Sequence, residues 1–140
     1  MNQIKTRHIL ALDIGSVRVG LALANSHNYL ARPLATILND DSFESQLNQV
    51  ILTNEVNILV VGWPRNLAGE ETNQSEYVKK FVTDKLEKFN LPIFYQDETL
   101  TTVKAQELLD GSNKNYHKLD IDAYAAAVIL EDYLIANNKI

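Results

Sequence analysis

The chain has 140 residues, of which 46% are hydrophobic, and it carries a formal net charge of -5 at pH 7. This length suits one domain that buries its own core, so we predict a single domain over residues 1–140. The absence of cysteine excludes disulfides, thiolate metal sites and cysteine nucleophiles. Because no apolar run is long enough for a signal peptide or a membrane span, we expect a soluble, cytoplasmic protein with no membrane partner.

The acidic net charge argues against a protein that coats nucleic acid, because phosphate binding depends on clustered lysine and arginine. A local basic patch remains compatible with this charge. For each basic residue taken alone, solvated surface is the preferred interpretation. The candidates for such a patch are Arg18, Arg65, Lys104, Lys114, His117 and Lys118.

The first part of the chain predicts three consecutive strands. Residues 8–12 and 17–24 are apolar runs joined through Gly15 and Ser16, which is typical of a hairpin. Residues 31–38 form a weaker strand, and Pro33 favours an edge position because proline cannot donate to a neighbouring strand.

Helical and strand patterns alternate in the rest of the chain. We predict a helix from Asp41 to Asn54 with Asp40 or Asp41 as its N-cap, and a strand covered on both faces over 57–62. A second helix follows, with a capping box at Asn73 and Glu76 and an apolar stripe. That stripe comprises Tyr77, Val78, Phe81, Val82, Leu86 and Phe89.

A strand over 92–96 leads into a third helix, which Thr101 or Thr102 caps and which extends through Leu109. Asp120 then opens a last helix over 121–134. The resulting order is βββαβαβαα. We therefore predict an α/β fold with a mixed sheet and helices on both of its faces.

Asp13 follows an apolar run that we expect in the core, where a charged carboxylate is costly without a positive partner. The following Gly15 has no side chain, which would let a ligand or phosphate approach the backbone. Taken alone, an aspartate that caps the turn into the second strand explains Asp13 slightly better.

Two more acids have equally ordinary explanations when each is viewed singly. Glu98 ends a strand before a helix, and Asp122 lies in the predicted first turn of the last helix, where the helix dipole favours acids. Together with Asp13 they suggest a site, because strand ends and a helix start can meet at one point in a mixed sheet. Hard cations such as Mg²⁺ would compensate three clustered carboxylates and support phosphodiester hydrolysis.

Four ordered segments resemble motifs of the YqgF/RuvX family and together extend over nearly the whole chain. They are DIGSVRVGLA at 13–22, VGWP at 61–64 with Gly69, DETLTTVKA at 97–105 and IDAYAA at 121–126. The resemblance implies a ribonuclease-H-like fold and a Holliday-junction-resolvase-like nuclease that matures the 5′ end of precursor 16S ribosomal RNA. It also implies that Asp13, Glu98 and Asp122 are the catalytic acids and bind Mg²⁺ or Mn²⁺.

Arg18 matches a basic position of the first family motif. It either contacts the substrate backbone, together with Lys104 and Lys118 as further candidates, or packs its stem over the hairpin. Thr101 and Thr102 match polar family positions, where helix capping is the preferred role.

Two departures from the family pattern bear on activity. Thr99 stands where the family usually has arginine, so a cation that could pair with the acids or clamp a phosphate is missing. Trp63 stands in the loop motif where the family has leucine. It could stack on an unpaired base, although a buried structural tryptophan is the preferred interpretation.

The leading hypothesis is therefore a metal-dependent endonuclease acting on structured RNA. A resolvase of four-way DNA junctions would use the same acids but would need a two-fold dimer, whereas an RNA trimmer could act as a monomer or weak homodimer. An actin-like phosphate-binding domain fits poorly, because that fold needs two large lobes. A non-catalytic RNA-binding module is the remaining alternative, motivated by Thr99 and the acidic charge.

Overall fold

The computed structural model describes residues 6–64, 73–97 and 118–137. The predicted helix that starts at Thr101 or Thr102 lies outside these ranges. The strands are β1 (His8–Ile14), β2 (Arg18–Asn25), β3 (Arg32–Leu38), β4 (Ile58–Trp63) and β5 (Ile93–Asp97). The helices are α1 (Phe43–Thr53), α2 (Asn73–Phe81), which continues into a π-helical turn (Val82–Leu86) and a 3-10 turn (Glu87–Phe89), and α3 (Lys118–Ala136).

The strands form one mixed sheet in the order β3-β2-β1-β4-β5. Strand β2 is antiparallel to both β1 and β3, whereas β4 pairs in parallel with both β1 and β5. The predicted hairpin and mixed sheet are therefore confirmed. Because β1, β4 and β5 run in the same direction, their carboxyl ends lie at the same edge of the sheet.

The edge position predicted for the third strand is also confirmed. Pro33 lies in β3, which pairs only with β2 among the described strands, so its missing N–H interrupts no ladder on the outer side. Ala35 pairs with Leu21 and Pro33 with Ala22, which leaves Leu34 as the extra residue of a bulge.

Alternation along the strands separates two apolar layers. The layer that includes α1 and α2 is built from large side chains such as Leu10, Leu21, Phe43 and Phe81. The opposite layer, against α3, contains smaller strand residues such as Ala11, Ala22 and Ala24. Helices thus cover both faces, as predicted, and the small residues allow α3 to lie close to the sheet.

Several predicted helix starts were wrong in detail. Ser42 precedes α1, and the Asp40 carboxylate instead accepts bonds from the Ser42 backbone N–H at 2.8 Å and hydroxyl at 2.5 Å. Asn73 is the first residue of α2 rather than a residue before it. Tyr77 was expected in the apolar stripe but is 38% exposed, and its hydroxyl accepts a hydrogen bond from Asn39 Nδ2.

The last helix also begins earlier than the pattern predicted. Its start at Lys118 puts Asp120 inside α3 and makes Asp122 the fifth residue of the helix. Asp122 is thus beyond the first turn, where the dipole favours acids, and the dipole alone does not explain it. Among the described residues, no helix is both long and apolar enough to cross a bilayer.

Candidate active site at the carboxyl end of the sheet

Asp13 lies inside β1, one residue before the strand ends, where it pairs with Gly20 of β2. Its side chain is half-buried. The alternation of β1 gives Asp13 the same face as Ile9 and Ala11, which belong to the layer packed against α3. The carboxylate is therefore on the face of the sheet that α3 covers, and Asp13 belongs to the strand rather than to the turn that follows.

Gly20 allows α3 to approach the sheet at this point. A β-carbon on Gly20 would overlap the backbone carbonyl of Asp122, so only glycine fits between strand and helix. An isolated glycine within an apolar strand is a sequence signal for close backbone approach. Gly20 lies within the first family motif, and no role was predicted for it from the sequence.

The side chain of Asp122 is held by Arg18. The Arg18 Nε–H donates to Asp122 Oδ2 at 2.7 Å, and the two side chains are 31% and 25% exposed, respectively. Arg18 and Gly20 are two residues apart in β2 and so share the α3 face. This ion pair was not predicted from the sequence, and contact of Arg18 with substrate stays a prediction.

Three predicted site residues thus meet around Gly20. Asp13 is its cross-strand partner, Asp122 is above it on α3, and Arg18 is its neighbour on the same face of β2. Directly paired residues on antiparallel strands have Cα atoms about 5 Å apart. The fold therefore brings Asp13 and Asp122 to the same small region, although they are far apart in the sequence.

The turn that follows Asp13 is braced by hydrogen bonds. Asn39 Nδ2 donates to Gly15 O at 2.8 Å, and Gln74 Nε2 donates to Ile14 O at 3.2 Å. Gly15 N–H donates to Arg18 O at 2.9 Å, and a β-carbon on Gly15 would lie 2.7 Å from that oxygen. The glycine was predicted to admit a ligand, but the approach it permits here is that of the Arg18 carbonyl.

The other predicted site residues lie partly or wholly outside the described ranges. Glu98 is the residue after Asp97, which ends β5 at the same edge of the sheet as the end of β1. Glu98 and Lys104 themselves fall outside, as do Thr99, Thr101 and Thr102. Lys118 begins α3, and only its backbone is described.

Trp63 is the last residue of β4 rather than a loop residue, and its ring packs partly into the core on the α1 and α2 side. It meets Tyr95 edge-to-face with ring centroids 5.1 Å apart. Partial burial raises the pKa of Tyr95, and the negative charge of Glu87 raises it further by a smaller amount. These contacts favour the structural interpretation of Trp63, on the face of the sheet opposite to Asp13.

The chemistry of the site residues suits a hard divalent cation. The carboxylates of Asp13 and Asp122 are oxygen ligands, which Mg²⁺ and Mn²⁺ prefer, and Mg²⁺ often takes only one or two protein carboxylates. Within 6–64, 73–97 and 118–137, no group of three acidic or histidine side chains is close enough together to hold a metal. A third carboxylate would have to come from outside these ranges.

The sequence is similar to known proteins over most of its length. The sequence matches the family described as "RuvX: Holliday junction resolvase" over residues 7–136. A protein of Fusobacterium nucleatum subsp. nucleatum named "Putative pre-16S rRNA nuclease" is 38% identical over 135 residues, covering 91% of this chain and 96% of its own. A protein of the same name from Sulfurihydrogenibium sp. is 35% identical over 128 residues, covering 90% of this chain and 88% of its own.

Solved structures share the fold at low identity. Thermus thermophilus RuvC, in complex with a Holliday junction substrate, superposes with a TM-score of 0.58 at 14% identity and covers 94% of this chain and 96% of its own. The yeast mitochondrial Holliday junction resolvase Ydc2 gives 0.54 at 12% identity, covering 94% of this chain and 79% of its own. These similarities confirm the predicted ribonuclease-H-like fold.

Proposed function

We propose that this chain, which belongs to the RuvX family, is a nuclease that uses a divalent metal ion to hydrolyse phosphodiesters in precursor 16S ribosomal RNA. One observation carries the metal-dependent part of the proposal. Helix α3 brings Asp122 over Gly20, the strand partner of Asp13, at the edge of the sheet where β5 ends just before Glu98. Carboxylates from three separate elements would then share one ion or two.

Asp13, Asp122 and Glu98 would hold Mg²⁺ or Mn²⁺, which supplies charge stabilisation at the phosphate and a more acidic bound water. The chain's own contribution is the position of these carboxylates. Asp13 is held by the sheet ladder, and the packing of α3 on Gly20 fixes the backbone of Asp122. The braced turn after Ile14 keeps the end of β1 in place, so the backbone that carries Asp13 needs little reorganisation when an ion and substrate arrive.

Precursor RNA is favoured over a four-way DNA junction as substrate. The relatives that match over most of their length carry a pre-16S nuclease name, whereas the junction resolvases are 12–14% identical and share only the fold. Arg18, Lys104 and Lys118 are proposed contacts for substrate phosphates. An RNA trimmer needs no symmetric pair of active sites, so we propose a cytoplasmic monomer or weak homodimer.

The direct test compares two labelled substrates under the same conditions. One is a precursor RNA carrying the 5′ extension of 16S ribosomal RNA, and the other is a four-way DNA junction. Each is incubated with wild type, Asp13→Asn and Asp122→Asn in Mg²⁺, in Mn²⁺ and in EDTA. Glu131→Gln, an exposed acid on α3, is the matched control.

We expect RNA cleavage by wild type and Glu131→Gln with either metal, none in EDTA, and a loss of at least about 100-fold in the two aspartate variants. Circular dichroism would establish that those variants fold. Cleavage of the junction alone would refute the RNA substrate. Binding of RNA without cleavage by wild type would instead identify a non-catalytic module, the interpretation that Thr99 motivated.

A further inference from the structure

We propose that Arg18 is an exchangeable counter-cation of Asp122, which weakens metal binding in the free protein and moves to a substrate phosphate when one arrives. This inference rests on the proposed function and deepens it, because it assigns a reason for metal and substrate to bind together. It starts from the contact in which the Arg18 guanidinium donates to Asp122 Oδ2.

The contact is built into the fold rather than formed by two mobile surface chains. Arg18 begins β2 immediately after the braced turn, and Asp122 is held on α3 at the point where Gly20 lets the helix approach. Both side chains are about two-thirds or more shielded from solvent. The 2.7 Å bond is in the short range typical of charge-assisted hydrogen bonds.

A divalent ion and a guanidinium compete for the same carboxylate. The Nε–H uses one of the two carboxylate oxygens of Asp122, and its positive charge repels a second cation brought within a few ångströms. Either the ion displaces Arg18, or it binds beside Arg18 with lower affinity. In both cases, removal of the positive charge at position 18 should tighten metal binding.

A phosphodiester provides an alternative partner for the displaced guanidinium. Arginine presents a planar set of donors that matches phosphate oxygens, so the bond lost to Asp122 is replaced by bonds to substrate. Substrate binding then frees Asp122 for the ion. By linkage, the factor by which a phosphate ligand tightens metal binding equals the factor by which metal tightens that ligand.

The first experiment measures Mn²⁺ affinity of the full chain by calorimetry and by electron paramagnetic resonance, without substrate. Arg18→Gln removes the charge, Arg18→Lys keeps it, and Arg32→Gln removes an exposed arginine at the start of β3 as the control. We expect Arg18→Gln to bind Mn²⁺ at least several-fold more tightly, and the other two to match wild type. In EDTA, Arg18→Gln should melt at a lower temperature than wild type.

The second experiment repeats the Mn²⁺ titration with a 2′-O-methyl decanucleotide as the phosphate probe. The probe should tighten Mn²⁺ binding in wild type by a clearly larger factor than in Arg18→Gln. If Arg18→Gln fails to fold, Arg18→Met takes its place as the charge-free variant, with folding established by circular dichroism.

The outcomes separate this inference from the proposed function. Equal or weaker Mn²⁺ binding by Arg18→Gln, or an equal effect of the probe in both proteins, overturns the role of Arg18. If Asp122→Asn, titrated with Mn²⁺ alongside these variants, abolishes binding, the proposed metal site is supported even when Arg18 has no such role. If no variant binds Mn²⁺ even with the probe present, the metal-dependent function itself fails.

Discussion

The backbone of Gly20 in β2 lies directly beneath the carbonyl of Asp122 in α3, with no room for a β-carbon between them. This contact sets the height of α3 above the sheet at the candidate site. It also determines how far Asp122 stands from Asp13, the strand partner of Gly20. The absence of a side chain at Gly20 therefore sets both the packing of α3 on the sheet and the relative positions of Asp13 and Asp122.

Substitution Gly20→Ala should destabilise the protein. The new methyl group would meet backbone, which cannot rotate away, so α3 must shift at a cost of about 1–3 kcal/mol. Urea denaturation followed by circular dichroism measures this loss. Where the variant remains folded, cleavage should fall because Asp122 is displaced. Unchanged stability would contradict the close contact between strand and helix.

The bond between Arg18 and Asp122 should contribute to stability without metal. A double-mutant cycle with Arg18→Gln and Asp122→Asn, each variant unfolded by urea in EDTA, should give a coupling energy of about 1 kcal/mol. Repulsion among clustered acids, taken by itself, would make Asp122→Asn neutral or stabilising without metal. The ion pair reverses that expectation, and Asp122→Asn should lose stability. A coupling near zero would show that the pair is not maintained in solution.

Asn39 should stabilise the turn after Asp13. Its side chain donates to Gly15 O at 2.8 Å, and its Oδ1 accepts a bond from Lys85 Nζ at 3.2 Å. Asn39→Ala should cost about 1–2 kcal/mol, because it leaves these groups without that partner. Urea denaturation tests this, with the exposed Asn48→Ala on α1 as control. Equal stability of both variants would show that the brace is dispensable.

Asp40 should make stability depend on acid pH. Hydrogen bonds from the Ser42 hydroxyl and backbone hold the pKa of Asp40 below its ordinary value of 3.8. A lowered folded-state pKa contributes stability that is complete above the unfolded value and is lost as pH falls through the folded value. Wild type should therefore lose more stability than Asp40→Asn between about pH 5 and pH 2. Parallel curves would contradict this, and the exposed Asp41→Asn is the matched control.

Local patterns in the sequence were sufficient for most of the fold. The apolar runs, Gly15 at the hairpin, Pro33 at the edge and the change to helical spacing after Asp41 predicted the strands and the first helix. Helix starts were predicted less accurately. The last helix begins at Lys118, two residues before Asp120, because a local capping pattern fixes a helix end only to within one or two residues.

The sequence by itself determined which side chains are available for chemistry, namely separated acids, fewer cations than acids, and no thiols. Only the tertiary structure decided which of these side chains come into contact. The pairing of Asp13 with Gly20 depends on strand register, and the bond from Arg18 to Asp122 joins residues 104 positions apart through the packing of a helix on a sheet. Such contacts arise from long-range packing, which no local pattern of residues encodes.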